Sequence, residues 1–359
     1  MANLIKCTHY KTELHADNFS NEVKYLLRNL EMTQKELAMR LGVSVKHINS
    51  ILKNTINDIP ASVLEGLEYV FRLPAGLLSK VYNEYNNQRI VNTVENIDQV
   101  MNTYGLSFLI KHHELSLPFG ILIDNEMEKY MRLMELKRFY GVSKLEDYHQ
   151  YLMDHALAES KKYVDKKNVY IWIRFCELSI EGINNKKTLG IFRNGSFKSV
   201  IKKVLTIMSE ETDNFQTKIV KLKDFLGTKG IILVTRPFIE ECIIRGITLK
   251  KGAKRYIFLS DMYHSEPFIF FGLLHELIHC YFPQYTEDAI DKQVMKEYFK
   301  WEHSSPTKYK AIYEAILAYE VVHSNENNES IDLTKQQLFY LIQQKYEVVT
   351  FDDNEGEHE

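Results

Sequence analysis

The chain has 359 residues, 45% of them hydrophobic and 26% charged, with a formal net charge of -3. That length implies two or three compact units, and the composition is that of an ordinary globular protein. A near-neutral balance excludes a protein that coats nucleic acid with its whole surface, so any such contact must come from a local patch.

The four cysteines, Cys7, Cys176, Cys242 and Cys280, are scattered without CxxC spacing. Neither a disulfide framework nor a thiolate metal site is expected, and a reducing cytoplasm fits. No apolar stretch follows Lys6 and Lys11 as a signal peptide would require. The most apolar run, Phe268 to Phe282, is short for a bilayer and carries His275, Glu276 and His279. No membrane partner is expected.

Helical periodicity starts near Asn18 and runs to about Tyr85, where Asn86, Asn87 and Gln88 read as a polar break. Residues 92–166 are again helical, interrupted at Leu117-Pro118-Phe119-Gly120 and Gly141-Val142-Ser143. A helix with Trp172, Phe175 and Leu178 on one side follows, then the polar stretch Gly182 to Lys187 and a helix over 197–209. Apolar, β-branched runs at 230–234, 246–249 and 256–260 read as strands of a small sheet, with helices over 266–282 and 286–301 behind them. The segment Phe351 to Glu359 has five acids and no Lys or Arg, a solvated tail. The expected fold is multidomain and mainly α. An all-α helix-turn-helix bundle spans 15–90, a helical connector 91–166, an α+β domain with a small sheet 167–345, and an acidic tail 346–359.

In Met32 to Ser44, Thr33 can cap a short helix, with Glu36 completing a capping box. Leu37, Ala38 and Leu41 form its buried face, and Gly42 ends it in a left-handed turn. Ser44 caps a second helix whose Ile48, Ile51 and Leu52 face inward. Its outward side offers Lys46, His47, Asn49, Ser50 and Lys53, donors and acceptors for base edges and lysines for phosphate. Gln34, at the start of the first helix, is well placed to meet a phosphate, and Ser44 counts among the expected DNA-binding residues. These residues resemble the XRE-family helix-turn-helix, in particular its HigA-like branch, over roughly 18–90; a glycine common near Asn54 is replaced here by an asparagine able to take the same conformation. The resemblance implies binding to operator DNA, and two half-sites would make the protein a homodimer. The plainer reading is a five-helix packing module.

His275-Glu276-Leu277-Ile278-His279 carries the chemistry. On a helix, positions i and i+4 lie one turn apart and about 40° around the axis, so both imidazoles reach one space and can hold two corners of a tetrahedral Zn2+. Glu276 is expected to act as general base on a water at the metal. The plainer alternative is two hydrogen-bonded core histidines and a salt-bridged glutamate. A catalytic zinc takes a third protein ligand, here Glu287, with Asp288 and Asp291 as alternatives, although acids are common in a first helical turn. Tyr263 and His264 are weaker candidates for oxyanion contacts, Cys280 should point away from the metal, and His112-His113 reads as surface.

The motif, with the Trp172-Ile173-Arg174 helix, the strands at 230–234 and 244–247, and Ile257-Phe258-Leu259-Ser260 leading to Ser265-Glu266-Pro267-Phe268, resembles the ImmA/IrrE family of metallopeptidase domains over about 169–300. The resemblance implies a zincin-like fold, a glutamate ligand from the following helix, and cleavage of a helix-turn-helix repressor or antitoxin-like protein in stress, prophage or mobile-element circuits. In that helix Ile290, Gln293 and Val294 depart from the family pattern. The strand from Tyr256 to Leu259 is expected to be the edge that receives substrate. The alternatives are a regulator whose zincin-like domain senses or binds without cutting, and an antitoxin paired with a toxin.

Overall fold

The computed structural model describes residues 18–56, 58–157, 160–166, 168–181, 189–210, 212–304 and 347–351. The stretch Gly182 to Lys187, the final part of the third expected domain (305–345) and most of the acidic tail lie outside the described residues. The chain divides into two units, one of residues 1–98 and 123–135, the other of 99–122 and 136–359. The expected connector is thus shared between them.

The first unit is built on α1 (Phe19–Asn29), α2 (Gln34–Leu41), α3 (Val45–Leu52), α4 (Ala61–Phe71) and α5 (Leu77–Thr93). The starts are made by side chains: Asn18 Oδ1 accepts from Asn21 N–H, Thr33 Oγ1 from Glu36 N–H at 3.1 Å, and Ser44 Oγ from His47 N–H at 3.1 Å. The capping box is half made, because the Glu36 carboxylate accepts from Arg40 at 2.6 Å, one turn ahead on α2. Gly42 ends α2 at φ 64°, and Asn54 follows α3 at φ 55°. Val23, Leu37, Ile48, Ile51, Leu67 and Phe71 fill the core. Buried Glu68 accepts from the N–H groups of Gly76 and Ser79, satisfying the start of α5.

The break expected at 86–88 is not there: α5 runs through it to Thr93. Asn87 is buried and its amide donates to Asn83 O, while Arg89 donates to Asn86 Oδ1. Polar side chains bonded within the helix do not remove a backbone donor as proline does, so the composition marked a polar helix face.

After α6 (Ile97–Thr103), α7 (Leu106–Lys111) and α8 (Lys129–Tyr140) come α9 (Leu145–His155) and α10 (Val169–Glu181), then α11 (Phe197–Met208) and α12 (Phe215–Gly227). Helix α12 was not among the expected elements, although Ile219, Leu222 and Leu226 recur at helical spacing and Asn214 caps it. The sheet follows: β1 (Ile231–Arg236), β2 (Gly246–Lys251) and β3 (Lys254–Ser260), then α13 (Glu266–Tyr281) and α14 (Glu287–Ser304). Among the described residues the sheet order is β1-β3-β2, with β1 parallel and β2 antiparallel to β3. Gly252, at φ 58°, turns the chain between β2 and β3.

Ile231, Leu233, Ile257 and Leu259 point from one face of the sheet into a core shared with α11, α12, α13 and α14. Helix α13 is apolar on almost every side and buried from Pro267 to Tyr281, as its sequence requires. The chain is mainly helical with one small mixed sheet, and no described helix is long and apolar enough to cross a membrane.

One expectation is overturned. β3 is the central strand, hydrogen-bonded on both sides, and cannot accept another. The edges are β1 and β2, and the outer side of β2 is partly taken by a bridge between Ala156 and Leu249. Short apolar strands look alike in sequence, because which one ends at the edge depends on pairing between distant segments.

Candidate functional site

The buried histidines of α13 meet the first turns of α14. His275 Nε2 lies 3.1 Å from His279 Nε2 and 2.9 Å from Glu287 Oε2, and His279 Nε2 lies 3.5 Å from Glu287 Oε1. These three residues form the one group of candidate metal donors among the described residues, with all donor atoms within 4.8 Å of one another. Donors about 2.0–2.1 Å from a tetrahedral ion stand roughly 3.3–3.4 Å apart, so the edges seen here need shifts of a few tenths of an ångström. Two nitrogens and a carboxylate are also the donor chemistry that zinc takes. The residues fit the ion.

Asp288 and Asp291 take other parts. The exposed Asp288 carboxylate pairs with Lys292 on the solvent side of α14. Asp291 accepts from His275 Nδ1 at 2.8 Å, on the ring atom opposite the cluster. That contact fixes the tautomer, leaving the Nε2 lone pair for a ligand. The backbone places 287, 288 and 291 within one turn of one helix, and only Glu287 faces both imidazoles.

Burial would drive the His275 imidazole down, but the Asp291 and Glu287 carboxylates accepting its N–H groups overcome this and hold it up, to about 10. Burial raises Glu287 in turn, and hydrogen bonds from His275 and His279 outweigh it, holding its carboxyl well below the usual range. In the ion's absence the cluster is therefore a charged pair. Among the described residues His279 Nδ1 is buried without a hydrogen-bond partner and has no counterpart of Asp291.

Glu276 is buried on a neighbouring side of α13, toward β2. Thr248 Oγ1 lies 2.7 Å from Glu276 Oε2 and 3.0 Å from Glu276 O. Gly246, two residues back on the same strand face, makes room: a Cβ there would stand 2.9 Å from Glu276 Cγ and 3.0 Å from Phe258 O. Sequence reasoning missed Thr248 and Gly246, whose signal lies only in a strand that packs across the motif helix. Cys280 is buried outside the donor cluster, and burial pushes its thiol up. Tyr263 packs on the Phe268 ring, His264 Nδ1 lies 3.8 Å from Asp261, and both take positive φ. His112 is partly exposed and His113 more so, near Glu114 and Glu240.

In the first unit the expected nucleic-acid residues divide. Gln34, Asn49 and Lys53 line a groove of about 750 Å³ together with Lys24, Arg28 and Asn21. Its charged lining is three cations and Glu31, a local positive patch on a nearly neutral chain. Ser44 and Lys46 are exposed, and His47 and Ser50 half-buried, outside that groove. The Ser44 hydroxyl is engaged as the α3 cap and the Ser50 hydroxyl donates to Lys46 O. Comparison with protein-family models, curated proteins and solved structures returned no match to this chain.

Proposed function

We propose that the chain is a cytoplasmic DNA-binding regulator carrying a zinc-dependent endopeptidase of the ImmA/IrrE kind, with a zincin-like fold, beside an XRE-type helix-turn-helix. The convergence of His275, His279 and Glu287 beside a buried Glu276 carries this reading. A zinc ion held by those three side chains would supply a Lewis acid for a peptide carbonyl and an acidified water. Asp291 holds His275 in the ligating tautomer. Thr248 takes Glu276 Oε2, and Oε1 accepts no hydrogen bond from a described residue. Glu276 is then oriented with one oxygen left to take a proton from the attacking water and return it to the leaving amine.

The substrate would lie extended along β2 at Gly246 and Ile247, short of Thr248 O, which accepts from Leu157 N–H, and beside Glu276. A helix-turn-helix repressor or an antitoxin-like protein is the partner this reading names. The groove of Gln34, Asn49 and Lys53 supports operator contact through phosphates.

The test is Glu276→Gln, assayed for zinc content by mass spectrometry and for cleavage of a repressor encoded beside the gene. Retained zinc with cleavage abolished is expected. Cleavage at the wild-type rate would remove Glu276 as the base, and a metal-free wild-type protein would end the peptidase reading.

A further inference from the structure

Away from the metal cluster, the second unit carries a strongly charged helix face. From Leu189 to Ser209 the chain has four cations, Arg193, Lys198, Lys202 and Lys203, and no acid. At 100° per residue, Lys198, Ser199, Lys202, Lys203 and Thr206 of α11 fall within an arc of about 140°, and all five are exposed. Val200, Ile201, Val204, Leu205, Ile207 and Met208 fill the opposite arc and are buried in the core. The lysines thus share one continuous face, and exposed Arg193 leads into it.

Among the described residues, no side-chain nitrogen of these four cations has an ion-pair or hydrogen-bond partner. Acids of the neighbouring elements are engaged elsewhere: Asp213 with Lys221, Glu266 with Lys218 and Asp288 with Lys292. Arg255, 4.4 Å over the ring of Phe192, brings a fifth cation beside Arg193. Such a distribution does nothing for the helix. Lys198 and Lys202 stand one turn apart with like charge, which weakens a helix. Lys198 also lies in the first turn, where the helix dipole disfavours a cation, and no side chain caps that start. An anion outside the chain would relieve all three.

The chemistry of the face selects among polyanions. Between Asn194 and Thr206 every exposed residue is polar or glycine. The face therefore lacks the apolar anchors on which protein interfaces depend, and the exposed rings on which single strands stack. Duplex DNA needs neither. It carries one phosphate per ~1.7 Å of axis, and α11, with 12 residues, lays its cations along about 18 Å.

We propose that the exposed face of α11 binds the phosphate backbone of duplex DNA through Lys198, Lys202 and Lys203, with Arg193 at its start, without reading sequence. The proposal goes beyond the operator reading and uses none of its residues.

Fluorescence anisotropy of the full chain with a labelled random-sequence duplex, over a salt series, tests it. Lys198→Gln, Lys202→Gln and Lys203→Gln together should lower the slope of log K against log salt by about 2.7, at ~0.9 per phosphate contact, and weaken binding about tenfold or more. Lys202→Gln alone should remove about 0.9, which covers the case of a misfolded triple variant. Arginine at the same three positions keeps the charge and should keep the wild-type slope. Zinc content should be unchanged throughout. Lys53→Ala separates this surface from the groove of the first unit: a slope lowered by the glutamine variant but not by Lys53→Ala upholds the α11 surface and ends the operator reading. A wild-type slope in folded glutamine variants overturns the proposal whatever Lys53→Ala does, and so does an equal loss in the arginine variant. Poly-glutamate bound as tightly as duplex at equal charge would make the face a dock for acidic protein, and also overturns it.

Discussion

Replacing Thr248 with valine removes the hydroxyl that holds Glu276. Valine keeps the branched shape in a fully buried position and removes only the hydroxyl, which lies 2.7 Å from the carboxylate and 3.0 Å from the Glu276 carbonyl. A hydrogen bond to a charged group is worth about 1.5–3 kcal/mol, and its loss leaves a buried acceptor short of a donor. Stability should fall by about 2 kcal/mol. In a unit of this size each kcal/mol shifts the midpoint by about 2–4 °C, so Tm should drop by about 4–8 °C in thermal unfolding followed by circular dichroism. Serine gives the complementary loss: it keeps the hydroxyl and deletes a buried methyl, at about 1 kcal/mol. Thr248→Ser should therefore lower Tm less and retain peptide cleavage, whereas Thr248→Val should lose most cleavage while keeping its zinc. A Thr248→Val protein melting within about 1 °C of wild type would refute the claim that this hydroxyl anchors the carboxylate.

Asp291→Asn should weaken zinc binding about 10–100-fold, as loss of the group orienting a histidine ligand does, whereas Asp288→Asn, out in solvent with Lys292, should leave it unchanged; competition with a chromogenic chelator reads both. In the chelated protein, His275 is held up at about 10 against an unfolded value near 6.5. Its stabilising contribution is complete below about pH 6.5 and is lost as pH rises through about 10; thermal midpoints of the chelated protein should accordingly fall over that window, and a flat profile would contradict the pairing. In the first unit, Lys53→Ala should reduce affinity for duplex DNA whatever its sequence and lower the slope of log K against log salt by about 0.9, while Ser50→Ala, whose hydroxyl is tied to Lys46 O, should leave that slope unaltered.

Local chemistry was legible along the chain wherever both partners lie within one turn. The caps at Thr33 and Ser44, the left-handed Gly42 and Asn54, and the pairing of His275 with His279 are all set by neighbours three or four residues apart, where 3.6-residue periodicity leaves little freedom. The same logic fails at Asn86-Asn87-Gln88, because a polar run does not break a helix in which the Asn86 and Asn87 side chains bond within their own turn.

The choices left to tertiary structure all join segments far apart in sequence. Glu287, Asp288 and Asp291 share one helical start, and their composition cannot rank them; the way α14 lies against α13 gives the first to the Nε2 cluster, the second to Lys292 in solvent and the third to Nδ1. Likewise, that β3 lies at the centre and β2 at an edge, and that Gly246 and Thr248 of β2 close on Glu276, depends on pairing and packing between strand and helix. Helical geometry determines which side chains share a face; only the packing of distant faces decides which of them meet.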